Sequence, residues 1–180
     1  MRKLKNSELN RKTVQEFRET PKYPVVVVLD NIRSLNNVGA AFRTADAFLI
    51  EGMYLCGITA RPPHREIHKT ALGATDSIHW EYYDNTEDAV NDLKKAGYVV
   101  ISVEQAEESI SLPEFKTGED TKYALVFGHE VKGVQQSVVD ISDYCVEIPQ
   151  YGTKHSFNIS VSIGIVLYHF YYHLQHSEIS

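Results

Sequence analysis

An α/β fold, a parallel sheet with helices on both faces, is predicted by three observations. The run VVVVL at 25–29 is apolar without alternation and rich in β-branched residues, as a central parallel strand covered on both sides must be. Strand-like and helix-like segments then alternate along the chain, the order that βαβ units produce. Three apolar strands run out into polar loops, DNIRSLNNVG, GHEVKG and QYGTKHSFNIS, and ligand sites in such sheets lie beyond the carboxyl ends of the strands.

Residues 1–20 are polar, and Leu4, Leu9, Val14 and Phe17 are too sparse for more than a short or fraying helix. After the strand at 25–29, Val38, Ala41, Phe42, Ala45 and Leu49 recur at helical spacing, with Asn36 or Asn37 as N-cap and Gly52 as terminator. A second strand is expected at 53–56. Pro62 and Pro63 break the chain before a short helix at 66–72, and SIHWEYY supplies a third strand. Thr86 stands where it would cap the helix EDAVNDLKKAG, whose Ala89, Val90 and Leu93 form an apolar stripe, with acids early, lysines late and Gly97 closing it. YVVIS follows as a strand. Residues 104–120 hold six acids and one lysine, with Pro113 and Gly118, the composition of an exposed connection. YALVF at 123–127, a short helix at 134–139, the strand DYCVEIP and a long apolar helix at 157–174 complete five or six strands. On the last helix Phe157, Val161, Gly164, Ile165 and Tyr168 share one face.

A chain of 180 residues suffices for one core, and 43% hydrophobic with 23% charged residues excludes a largely disordered chain. The net charge of −6 excludes a uniformly basic surface that coats nucleic acid, yet it hides an asymmetry. Residues 1–22 carry seven basic and three acidic side chains, whereas 23–180 carry eleven and twenty-one. The expected organisation is a basic extension at 1–22, either a polyanion-steering arm or a solvated tail, and a single domain at 23–180. Cys56 and Cys145 stand 89 positions apart, belong to no close-spaced metal pair and read as buried thiols in a reducing compartment. No metal is expected. No apolar segment reaches the roughly 18 to 20 residues that span a bilayer, and the N-terminus lacks an apolar signal core, so the cytoplasm is the expected location.

Each polar loop has an ordinary reading on its own: glycines relieve the backbone, and Asn and Ser cap helices. Their combination is more specific. The first loop carries Asn37, Gly39, Arg43, Thr44 and Ala45; the second Gly128, Glu130 and Gly133; the third Ile148, Pro149, Gly152, Ser156, Asn158 and Ser160. With these three motifs in this order, the chain from about 25 to 174 resembles the SpoU/TrmH group of SPOUT-class RNA methyltransferases. Two positions depart from the group's usual pattern: Gln150, where methionine is common, and Phe157, where leucine is common.

The resemblance implies a SPOUT-like sheet with a C-terminal trefoil knot, a feature so rare that fold rules alone predict against it. It implies S-adenosyl-L-methionine as cofactor, transfer of its methyl group to a ribose 2'-hydroxyl of tRNA or rRNA, structured RNA as partner, and a homodimer with no membrane association. The cofactor cradle would comprise Leu125, Gly128, Gly133, Ile148, Pro149, Gly152, Ser156 and Phe157, with Gly133 and Gly152 permitting close loop approach. The catalytic set would comprise Arg43, Asn37, Glu130, Ser156 and Asn158. Arg43 remains charged at ordinary pH, so it suits gripping phosphate and stabilising oxyanion charge rather than accepting a proton. Its plain alternative is a salt bridge to Asp46 or Glu130. Asn37, Ser156 and Asn158 have capping or loop-satisfying alternatives, Lys132 and Lys154 are phosphate contacts or solvated charges, and His129 is a turn residue before it is a substrate contact. The other reading of the whole chain is a non-catalytic RNA-binding or assembly module on the same fold. A dinucleotide oxidoreductase is weaker, because the first loop lacks a G-x-G-x-x-G turn.

Overall fold

The computed structural model describes residues 1–176, so 177–180 of the expected domain lie outside the described residues. Its helices are α1 (Val14–Glu19), α2 (Leu35–Ala47), α3 (Arg65–Ala71), α4 (Ala74–Ser77), α5 (Thr86–Lys95), α6 (Gln136–Ile141) and α7 (Ile159–His176). Its strands are β1 (Tyr23–Asp30), β2 (Ile50–Cys56), β3 (Trp80–Tyr83), β4 (Tyr98–Val103), β5 (Ile110–Ser111), β6 (Lys122–Phe127) and β7 (Tyr144–Glu147). They form one sheet in the order β3-β2-β1-β6-β4-β7-β5, with every paired strand parallel.

The unalternating β1 run has the reason expected of it. Val25, Val27 and Leu29 pack with Phe42 of α2, Ile67 of α3 and Phe170 of α7, while Val26 and Val28 pack with Val90 of α5 and Val138 of α6. Each such side chain contributes about 1.5–3 kcal/mol when fully buried, so both faces must be apolar for the strand to sit at the centre. The C-terminal strands do not join the sheet in chain order. There β6 inserts between β1 and β4, and α7 returns to pack on α2.

Several local expectations are corrected. Ser34, not Asn36 or Asn37, caps α2: its Oγ accepts the Asn37 N–H at 3.3 Å. Leu49 lies beyond the helix at φ 52°, and Gly52 sits inside β2 instead of terminating α2. Asn85 holds the cap position of α5, which frees the buried Thr86 hydroxyl to donate to Asp30 at 2.6 Å. The acidic connection is only partly exposed, since it contributes β5 and buries Leu112 and Phe115, raising the strand count to seven. α7 begins two residues late, after Asn158, and buries Ile159, Ile163, Val166, Leu167 and Phe170; Val161 and Tyr168 of the expected shared face are exposed.

The side chains of residues 7–16 are exposed, but the N-terminal segment is not free along its whole length. Thr13 and Glu16 form a capping box that starts α1, and this helix inserts Phe17 into the core. Burial pushes the Cys56 thiol up to about 12, so it stays protonated and inert. Cys145 is half-buried rather than buried, its thiol likewise raised by burial. No helix among the described residues is long and apolar enough to cross a membrane, and no His, Cys, Asp and Glu group among them could hold a metal ion.

α2 packs so closely on α3 that a Cβ at Gly39 would stand 2.0 Å from the Thr70 hydroxyl and 2.4 Å from the Ile67 carbonyl oxygen. The motif glycine is therefore a packing requirement. Gly39→Ala should lower the unfolding free energy by about 1–3 kcal/mol. An unchanged urea midpoint would contradict that contact.

Candidate active site

Strands β4, β6 and β7 end side by side, and the chain leaving β6 forms a tight loop there. The loop closes on itself: His129 N–H donates to the Gly133 carbonyl at 3.0 Å, and Gly133 N–H donates to the His129 carbonyl at 2.8 Å. A Cβ on Gly128 would lie 2.1 Å from the Gly133 carbonyl carbon, and Gly133 has φ +69°, so glycine is required at both positions. His129 serves the turn, its Nδ1 accepting the Val131 N–H at 3.0 Å and the Lys132 N–H at 3.3 Å.

Three carboxylates hold this loop to three different elements. Glu130, on the loop, reaches the start of α2, accepting from the N–H groups of Arg33 and Ser34 at 3.1 and 2.9 Å and from Asn37 Nδ2 at 3.2 Å. Glu104, at the end of β4, accepts the Val134 N–H at 2.9 Å and lies against Gly133. Asp30, fully buried at the end of β1, accepts the Gln135 N–H and the Gln135 Nε2 amide, both at 2.8 Å, along with Thr86 and Asn31. Neither Asp30 nor Glu104 was singled out from sequence as a site residue. The available signal was an acid directly following a largely apolar strand, VVVVLD and YVVISVE.

Burial alone would raise the Glu130 carboxyl, but hydrogen bonds from its own backbone and from Arg33, Ser34 and Asn37 outweigh it and hold the pKa below the ordinary value. A depressed folded value means that this tie is fully present above the unfolded pKa of about 4.3 and is lost as pH falls through the folded one.

Beside the loop opens a cavity of about 560 Å³, within the range that holds a cofactor. Its apolar lining includes Val103, Ile148 and Phe157, and its polar lining includes Glu104, Gln105 and Asn158. Of the sequence-derived site residues, Gly128, Glu130, Gly133, Ile148, Ser156, Phe157 and Asn158 face it. Asn37 joins through Glu130. Leu125 lies in the core and Pro149 flanks the lining, both outside it. Gly152 is exposed, with nothing within 4 Å of a built Cβ and no positive φ, so the close approach expected there is absent.

Asn158 takes the capping role: its Oδ1 accepts the Ser160 N–H at 2.9 Å and the Ser160 hydroxyl at 2.6 Å, setting the start of α7. Ser156 is exposed at the rim, and Gln105 ties this third loop down by donating to the His155 carbonyl at 2.8 Å. Lys132 lines the cavity, whereas Lys154 does not. Arg43 lies outside the cavity on the exposed side of α2. Its expected alternative partners are engaged elsewhere, Asp46 by the Ser77 hydroxyl at 2.5 Å and Glu130 by Asn37, which leaves the Arg43 guanidinium available.

The model of the SpoU rRNA Methylase family matches residues 24–168, across all three loops. The chain belongs to this family. That places it among S-adenosylmethionine-dependent RNA 2'-O-methyltransferases. It is 30% identical over 161 residues to the tRNA (guanosine(18)-2'-O)-methyltransferase of Aquifex aeolicus, covering 87% of this chain and 73% of that protein. It is also 30% identical to a 23S rRNA (guanosine-2'-O-)-methyltransferase of Neisseria meningitidis, covering 80% of this chain and 56% of that one. The AdoMet-bound rRNA methyltransferase of Sinorhizobium meliloti superposes with a TM-score of 0.79 at 28% identity, over 88% of this chain and 60% of that one. The SpoU chain described here thus spans little more than half the length of the latter two.

Its residues fit the cofactor. Ile148, Phe157 and Val103 offer apolar surface to an adenine, and Glu104 and Glu130 place negative charge beside a site that must take a sulfonium cation. Each carboxylate oxygen has two acceptor sites, so Glu104 retains capacity after its loop contacts. The cradle depends on Asp30, whose donors would face an amide group in Asp30→Asn. That variant should lose about 1–3 kcal/mol of stability, the cost of an unsatisfied buried group. It should also bind S-adenosylmethionine about tenfold more weakly by calorimetry, about 1.4 kcal/mol. Wild-type affinity would show that the Asp30 tie does not shape the site.

Proposed function

We propose that this chain methylates the ribose 2'-hydroxyl of a structured tRNA or rRNA, with catalysis by Arg43 and the loop residues assigned by the motifs. The observation that carries the proposal is that the second and third motif loops line one cavity, to which Glu130 ties Asn37 of the first. When bound, S-adenosylmethionine supplies an electrophilic methyl group. A 2'-oxygen held at the Ser156 and Asn158 rim would form the new C–O bond as the methyl–sulfur bond breaks, and its proton would pass to solvent. Arg43 grips the adjacent phosphate and stabilises charge on the attacking oxygen.

Arg43 stands outside the cavity of its own chain, and α7 leaves Val161, Tyr168 and Tyr172 exposed along one side while its other side fills the core. Both features support a homodimer that joins two copies through α7 and completes each site with Arg43. The basic segment at 1–22 then serves as an RNA-steering arm beside a single catalytic domain from residue 23. A reducing, RNA-containing compartment, the cytoplasm, suits these assignments. Relatives at the same 30% identity act on tRNA in one case and 23S rRNA in the other, so identity does not choose between the two RNA classes.

Arg43→Ala should bind S-adenosylmethionine with wild-type affinity and lose at least about 100-fold in methyl transfer, the scale of a lost oxyanion donor. Turnover within threefold of wild type at limiting RNA would refute the role of Arg43.

A further inference from the structure

The body of the chain, residues 23–180, carries eleven cations against twenty-one acids, yet residues 57–72, GITARPPHREIHKTAL, carry three cations and one acid. Arg61, Arg65 and Lys69 are all exposed, as are His64 and His68. The single acid, Glu66, stands 3.8 Å from Lys69 and reaches no other cation.

Four hydrogen bonds place this segment against the candidate site. The Ile58 N–H donates to Asn31 Oδ1 at 3.1 Å; the buried Thr59 hydroxyl accepts the Ile32 N–H at 2.9 Å and donates to the Leu29 carbonyl at 3.1 Å. At the segment's far end the Thr70 hydroxyl donates to the Asn36 carbonyl at 3.2 Å. The stretch from Asn31 to Asn37 is therefore gripped by Glu130 on one flank and by this segment on the other. The segment also leaves the carboxyl end of β2, which adjoins the end of β1, so it lies on the same edge of the sheet as the cavity.

Arg61 is set in advance of any partner. Its guanidinium lies 4.1 Å from the centre of the Tyr82 ring, and the Tyr82 hydroxyl donates to the Gly57 carbonyl at 2.9 Å, fixing the ring. Stacking occupies the face of the guanidinium and leaves its N–H edge free, which suits a phosphate. Arg33, in the gripped stretch, is exposed and extends the same run of cations toward the site.

We infer that Arg61, Arg65 and Lys69 form a docking edge for the phosphate backbone of the substrate RNA, separate from the cofactor cradle and from the basic N-terminal segment. This inference rests on the RNA-methylation reading for the identity of its partner. Phosphate contacts of this kind set orientation rather than sequence preference, so the edge would position an RNA whose target ribose is presented at the Ser156 and Asn158 rim.

The test is binding of unfractionated tRNA by wild type and by the triple variant Arg61→Gln/Arg65→Gln/Lys69→Gln between about 50 and 200 mM salt, with S-adenosylmethionine affinity and tritiated methyl transfer measured in parallel. The expected result is a salt slope shallower by about 2–3 and tRNA affinity at least about tenfold weaker, with cofactor affinity unchanged. An unaltered slope and affinity would overturn the inference, as would failure of the wild type to bind tRNA. If the triple variant loses its cofactor affinity through misfolding, Arg65→Gln, which breaks no side-chain hydrogen bond or ion pair among the described residues, should still flatten the slope by about 1, and no change would overturn the inference. The two readings separate cleanly: a wild type that binds tRNA through this edge but methylates none of it upholds the edge and refutes tRNA as the methylated RNA.

Discussion

The cofactor cradle depends on carboxylates gripping backbone N–H groups. The loop from Gly128 to Gln135 runs between β6 and α6 outside both, so the amides that it does not pair within itself must find partners elsewhere or remain costly. Glu104 and Asp30 accept the Val134 and Gln135 N–H groups and tie the loop to β4 and β1, while Glu130, on the loop itself, accepts the Arg33 and Ser34 N–H groups and ties it to the start of α2. A charged acceptor makes a stronger hydrogen bond than a neutral one, and here each carboxylate bonds more than one donor. Because the three ties come from different parts of the sheet, the loop is positioned only when β1, β4 and β6 are correctly aligned. The glycines of G-x-E-x-x-G serve the same end, since Gly128 and Gly133 leave room for the fold-back that presents those amides.

The charge distribution follows from two ligands of opposite sign. A sulfonium cation favours carboxylates near its cradle, whereas RNA is repelled by them. An acidic body satisfies the first requirement and makes the second a local matter. At physiological salt, charges farther away than about 8 Å are largely screened, so a few cations at the correct edge govern phosphate contact despite the net charge of −6. Arg43 and the 61–69 segment supply such cations next to elements that also shape the cradle.

What the sequence made legible was chiefly what repeats locally. The VVVVL run reports its own burial, and the strand-helix alternation leads to the parallel sheet. The motifs anticipated Glu130 and Asn37, which the structure joins across 93 positions. Long-range polar partnerships left no such pattern. Thr86 looks like a cap beside a helix start, but its hydroxyl is committed to Asp30, 56 positions away. Glu104 looks like one acid among six in a loop, and only the fold brings it to Val134. The same holds for α7: apolar residues surround it, so periodicity alone does not choose its inner face, and packing against Phe115 and Tyr123 buries Phe170 while Tyr168 stays exposed.

The central claim is that this architecture directs a methyl group to a ribose oxygen. Its most direct test is incubation of the purified protein with methyl-labelled S-adenosylmethionine and total cellular RNA, followed by digestion to nucleosides and mass spectrometry. Label confined to 2'-O-methylated nucleosides at one or a few mapped positions is the predicted result. Label on a base, or none on RNA that the protein binds, would contradict it.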